Sequence, residues 1–183
     1  MQYLVWGAAR PPAALAGAER LAHGDCLELE GPWPLGPVPL SFVRAKTALE
    51  KADAASGAYA VEGFDAPGDG NAFVVAAHMM LDAQKFKPYA DAIPAMLQKF
   101  GVRSLARAGT VTPLGGPFTP QRAVVLQFRD VDAVLDFYMS DEYAPLLALR
   151  KQTTDPRFIV LSRDGAISQA SRQRTADFLR GIA

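Results

Sequence analysis

Apolar and polar positions along the chain fall into two successive rounds of one order. In the first, residues 3–8 form an apolar run of strand length, closed by Pro11 and Pro12. Residues 13–23 are rich in Ala and Leu, with Leu15, Ala18, Leu21 and Ala22 at helical spacing, which predicts a helix stopped at Gly24. Residues 26–30 (Cys-Leu-Glu-Leu-Glu) alternate as a half-exposed strand does. A turn-rich connector over 31–37, a strand over 38–44, a helix over 46–56 ending at Gly57 and a strand over 58–64 complete the round.

Residues 65–70 (Asp-Ala-Pro-Gly-Asp-Gly) read as the clearest linker. The second round then repeats the order with longer elements. Residues 72–81 predict a strand, with Phe73, Val75 and Ala77 on one face and Val74, Ala76 and Met80 on the other. Asp82 is a candidate N-cap for a helix to about residue 100, whose apolar face carries Phe86, Tyr89, Ala90, Ile93, Leu97 and Phe100. Pro94 predicts a kink or break in it. A strand over 102–111, a loop over 113–120, a strand over 122–128, a helix over 131–153 interrupted near 141–145, and a strand over 157–162 follow. Ser168 caps a last helix over 169–180.

The repeat is also visible in the letters. Residues 25–37 and 104–117 each hold a strand-like run, a Gly, then Pro-Leu-Gly with a Pro close behind. Each round gives β-α-β-β-α-β, the ferredoxin-like order, in which both helices cover one face of a four-stranded antiparallel sheet. The opposite face is apolar on both sides of the strands and needs a cover, and a second equivalent sheet is the simplest one. The expected organisation is a degenerate ferredoxin-like repeat (1–66), a linker (67–71), a second ferredoxin-like domain (72–165) and a C-terminal helix (166–183).

Composition narrows the partners. Half of the residues are apolar, enough for a real core, and 19 acidic residues balance 19 basic ones. That balance argues against nucleic acid or an anionic membrane as the main partner. Arg163, Arg172, Arg174 and Arg180 read as a solvated helix face. Cys26 is alone, which excludes a disulfide framework and suits a reducing, cytoplasmic compartment. The N-terminal apolar run lacks a preceding basic region, so it does not read as a signal peptide, and no apolar run is long enough to span a membrane.

His78 is the leading candidate for chemistry, an ionisable group among Ala76, Ala77, Met79 and Met80. Facing the space between the sheets, it would act as acid, base or ligand near neutral pH; otherwise it is a buried histidine satisfied by a neighbour. Arg107, set among Ala106, Ala108 and Gly109, leaves room for an anionic ligand, or pairs with a helix carboxylate. Tyr89 and Tyr138 are candidate ligand-binding hydroxyls at a pocket mouth, or core aromatics. Arg122 and Arg150 read as surface or ion-pairing residues, and His23 as a helix-end cation. Asp141 and Glu142 are neighbours pointing about 100° apart on a helix, so they make no acid/base pair. Two histidines and no Cys cluster give no metal-ligand spacing, and no phosphate loop or dinucleotide fingerprint occurs, so no metal or cofactor is expected.

Residues 72–165 resemble the family called domain of unknown function 1330. The resemblance is carried by an ordered set: the Ala72-Phe73-Val74-Val75 strand, Asp82, Phe86, Tyr89 and Pro94, then Gly101 and Arg107-Ala108-Gly109. Arg122 to Phe128, Phe137-Tyr138, Ser140 to Tyr143, Leu149-Arg150 and Arg157 complete it. An acidic residue commonly precedes the Gly after the second strand in that family, and Leu114 stands there instead. The family belongs to the dimeric α+β barrel superfamily, in which two ferredoxin-like units press their sheets together. The resemblance therefore implies an α+β fold, two tandem ferredoxin-like units packed sheet to sheet as an intrachain barrel, plus the C-terminal helix. Such a chain is a monomeric pseudo-dimer or a homodimer. The resemblance implies a small apolar or anionic organic molecule held between the sheets, with His78 and Arg107 as catalytic candidates for cofactor-independent acid/base chemistry. The alternative is a non-catalytic module whose barrel is filled by side chains.

Overall fold

A computed structural model describes residues 2–6, 18–31, 40–45, 58–107, 110–115 and 120–181. Among these, the chain forms β1 (Gln2–Trp6), β2 (Glu19–Gly24), β3 (Cys26–Glu30), β4 (Leu40–Ala45), β5 (Ala58–Glu62), β6 (Ala72–Met80) and α1 (Ala83–Lys99). It continues through β7 (Arg103–Arg107), β8 (Val111–Gly115), β9 (Arg122–Phe128), α2 (Val131–Tyr138), α3 (Ala144–Thr153), β10 (Thr154–Ser162) and α4 (Gln169–Gly181). The strands make two five-stranded sheets, ordered β2-β4-β1-β5-β8 and β3-β10-β6-β9-β7. Their pairings are antiparallel.

Each sheet is a four-stranded ferredoxin-like arrangement with one foreign strand at its edge. The strand that follows β2 leaves the first sheet and pairs, as β3, with β10 of the second. The strand that follows β7 does the reverse and pairs, as β8, with β5 of the first. An antiparallel edge offers unpaired N–H and C=O groups, and each half satisfies one such edge of the other.

The sheets face each other across an apolar layer. Tyr3, Leu21, Phe42, Tyr59 and Val61 of the first sheet meet Phe73, Val75, Ala77, Leu105, Val125 and Ile159 of the second. Phe42 stacks on Tyr3 (ring centres 5.8 Å apart) and touches Phe73 across the layer at 5.1 Å. The other face of the second sheet packs against helices, with Val74, Ala76, Leu126, Phe158 and Val160 against Phe86, Leu97, Val134, Leu135 and Leu147. Since successive strand side chains point to opposite faces, β6 is buried on both.

Several expectations need correction. Residues 19–24, expected as the end of a helix, are strand β2, paired with β4 from Glu19↔Arg44 to Gly24↔Leu40. Leu21 and Ala22 are both buried beside a register shift between Arg20 and Ala22, so tertiary pairing outweighs the helix propensity of Ala and Leu. The repeat in the letters is also out of register with the structure. It matches 26–30 to 104–108, whereas β2 corresponds to β7 and β3 to β8 in sheet order. The expected single strand over 102–111 is two strands in two sheets, and residues 113–115 of the expected loop belong to β8.

Helix α1 starts where expected: the Asp82 carboxylate accepts from the Gln84 and Lys85 amides at 3.1 and 3.0 Å. It does not break at Pro94, and it also runs through Pro88. The interruption between α2 and α3 and the Ser168 cap on α4 are as the pattern predicts. Residues 65–70 are held in place. The buried Gln127 amide donates to the Gly68 and Gly70 carbonyls and accepts from the Gly68 N–H. A Cβ on Gly70 would lie 2.3 Å from the Phe128 carbonyl oxygen, so only glycine fits there. The helix expected over 46–56, the helix start at 13–17 and the loop at 116–119 lie outside the described residues.

Candidate functional site

The alternation of β6 decides where His78 goes. Phe73, Val75 and Ala77 face the other sheet, and Val74, Ala76 and His78 face the helices. His78 therefore does not enter the space between the sheets, which its neighbours fill with Tyr3, Phe42 and Phe73. It lines a cavity of about 60 Å³ between the second sheet and α1, beneath Phe86, Tyr89, Ala90, Ile93 and Leu97. The floor is Ala76, Val124 and Leu126, and Phe137, Tyr143 and Phe158 close the sides.

Two arginines complete the lining, Arg107 and Arg122. Arg122 is the cross-strand partner of His78, and Arg107 is paired with Val124, two residues along β9 from Arg122. Arg122 is half-buried with its guanidinium 5.4 Å from the Phe86 ring centre. Burial, with Arg107 nearby, lowers its pKa from the usual arginine value. Arg107 is exposed and donates to the Ser104 hydroxyl at 3.2 Å. Neither arginine pairs with a carboxylate among the described residues.

His78 is 3% exposed and its Nδ1 has no hydrogen-bond partner among the described residues. Burial, then the Arg150 and Arg122 charges, push its pKa down to about 3. It is thus a neutral imidazole at pH 7. General acid–base work is most efficient with a pKa near the operating pH. In this environment His78 offers a hydrogen bond, not a readily exchanged proton.

Behind the cavity lies a buried polar network. Arg150 of α3 is fully buried and pairs through both terminal nitrogens with Glu30 of β3, Nη1 donating to Oε2 at 2.8 Å. Its Nε donates to the Tyr143 hydroxyl at 3.1 Å, which lies 3.4 Å from the Tyr89 hydroxyl. Its guanidinium carbon sits 5.1 Å from the Phe158 ring centre. Tyr138 donates to Glu30 as well. A buried ion pair needs such extra hydrogen bonds to offset desolvation.

The structure thus brings His78, Arg107 and Tyr89 together, as the sequence suggested, but on the helical side of the sheet. Tyr138 is absent from the cavity lining and serves the Glu30 network instead. Arg122 and Arg150 were expected as surface or ion-pairing residues: Arg150 is ion-paired but fully buried, Arg122 lines the cavity, and Tyr143 and Glu30 were not read as site residues. Arg122 had a usable signal: period 2 along β9 puts it on the same face as Val124 and Leu126. Glu30 had none, since its partner is 120 residues away.

Comparison with known proteins gives a family and little more. The family described as "Domain of unknown function (DUF1330)" matches residues 71–163. No curated protein matches the chain. A solved structure described as that of a major regulator of staphylococcal pathogenesis is 10% identical, with a TM-score of 0.43, over 85% of this chain and 97% of that one. That likeness is too slight to carry an argument.

Proposed function

The chain belongs to the domain of unknown function 1330 family, and we propose from its own geometry that it binds a small organic molecule, apolar or anionic, in the pocket between the second sheet and α1. The observation that carries this reading is a cavity under α1 whose apolar walls also hold the buried His78 ring and two arginines with no carboxylate partner among the described residues. Charges and polar groups taken out of water are normally paired, and a ligand can supply the missing partner. Phe86, Ile93, Leu97 and Leu126 supply the apolar wall, and Tyr89 and Tyr143 add hydroxyls. The His78 environment favours binding over proton transfer, so His78 and Arg107 are read as ligand-holding groups.

The filled layer between the sheets gives the barrel itself a structural part, with Phe42, Tyr3 and Phe73 as its packing. In this reading the chain is a monomeric pseudo-dimer, since each half supplies an edge strand and a covering face to the other. The lone Cys26 suits a reducing compartment such as the cytoplasm, and no described helix is long and apolar enough to cross a membrane.

The test is a screen of small organic compounds by thermal stabilisation, run on wild type and on Ile93→Trp, which fills the pocket. Compounds that stabilise only the wild type support the reading. Equal shifts in both proteins, or none in either, remove it.

A further inference from the structure

Among the described residues the pocket is lined by two arginines, one buried histidine and no carboxylate. We infer that its ligand is a short-chain monocarboxylate whose carboxylate sits between Arg122 and Arg107 beside the His78 ring, with its apolar tail under α1. This rests on the pocket reading above and names the class of molecule that the pocket takes.

Charge is the first argument. The fully buried arginine, Arg150, has its carboxylate in Glu30 and its Nε on Tyr143. Arg122 is half-buried against Phe86 with no acidic partner among the described residues, and Arg107 adds a second positive charge on the same side. Buried or partly buried charges are normally paired, so an anion is the missing component. Arginine is the side chain best shaped to take a carboxylate through two parallel hydrogen bonds.

His78 fits the same anion. It stands directly across from Arg122 in the β6–β9 register. A neutral imidazole has one N–H to give to a carboxylate oxygen, and it adds no charge to a site that already holds two arginines.

Size and polarity set the tail. One water occupies about 10–15 Å³ of such a cavity, so about 60 Å³ admits only a handful of non-hydrogen atoms. The wall beyond the arginines is Phe86, Ile93, Leu97 and Leu126. A short aliphatic chain matches both limits, whereas a dicarboxylate would place a second charge in the apolar end.

Butanoate and its neutral isostere butanamide are the probes, titrated calorimetrically at low salt into wild type, Arg122→Lys and Arg122→Gln. Wild type should bind butanoate roughly tenfold or more tightly than butanamide, because a charge-assisted pair is about twice as strong as a neutral one. Arg122→Gln should lose that preference, and Arg122→Lys should retain part of it through charge alone. Equal binding of both probes to wild type, or unchanged butanoate binding by Arg122→Gln, overturns the carboxylate assignment while leaving a binding pocket. Absence of binding by either probe overturns the assignment, and the pocket reading then stands or falls on the compound screen with Ile93→Trp.

Discussion

Glu30 and Arg150, 120 residues apart in sequence, form a fully buried two-pronged ion pair that ties β3 to helix α3. The pair joins the N-terminal half of the chain to the helices over the second sheet. Its Tyr143 branch then reaches Tyr89 in the pocket wall.

Removing one partner of such a pair leaves an uncompensated buried charge. Glu30→Ala should destabilise the protein by about 3–5 kcal/mol. The double variant Glu30→Met with Arg150→Met should lose much less, because two apolar side chains of similar volume remove the charge altogether. Urea unfolding of the three proteins checks this. A double variant as unstable as Glu30→Ala would mean that the pair is not what the single substitution breaks.

His78 gives a pH dependence. The charged groups facing it are Arg122 and Arg150, with Arg107 at the cavity edge and the Tyr89 and Tyr143 hydroxyls in its walls. Its pKa is near 3 in the fold against an ordinary 6.5. Between those values the unfolded chain binds a proton there and the folded chain does not. Stability from this group is therefore complete above about pH 6.5 and declines as the pH falls towards 3, by on the order of 1 kcal/mol per pH unit. His78→Gln should flatten that part of the stability profile, measured by denaturation at several pH values. A wild-type profile that matches the variant between pH 6 and 4 would contradict the depressed pKa.

The exchange of β3 and β8 makes the halves interdependent. A fragment of residues 70–166 loses β3 from the edge of β10 and the entire sheet that covers Phe73, Val75 and Val125. It should aggregate or pair with a second copy through the bared face. Size-exclusion chromatography with light scattering reads this directly. A soluble, folded monomer would show that the first half is not needed as a cover.

The fold was legible where local pattern and tertiary environment agree. Alternation on β6, the Asp82 cap and the break between α2 and α3 follow from side-chain periodicity and capping chemistry, which are local. β2 was not legible, because Ala and Leu at helical spacing are also good inner-face residues once β4 lies alongside. The strand exchange was hidden for a similar reason: nothing local in 26–30 or 111–115 says which sheet supplies their partners. At the site, residue type singled out His78, Arg107 and Tyr89, and all three line the same cavity. Strand parity groups residue 78 with Val74 and Ala76 on the helical face rather than with the inter-sheet face. Tyr138 was an aromatic at the right depth whose hydroxyl had a closer partner in Glu30.

The central claim is that the pocket holding His78 is the binding site of this protein. The chain has two histidines, and His23, exposed on β2 with its Nδ1 2.9 Å from the Ser41 hydroxyl, is an internal control. The most direct measurement is nitrogen-15 NMR of the two imidazole rings during a butanoate titration, assigned with His78→Gln. The account predicts that the His78 ring nitrogens shift and saturate while those of His23 stay in place. No movement of His78 at high butanoate, or equal movement of both rings, would contradict it.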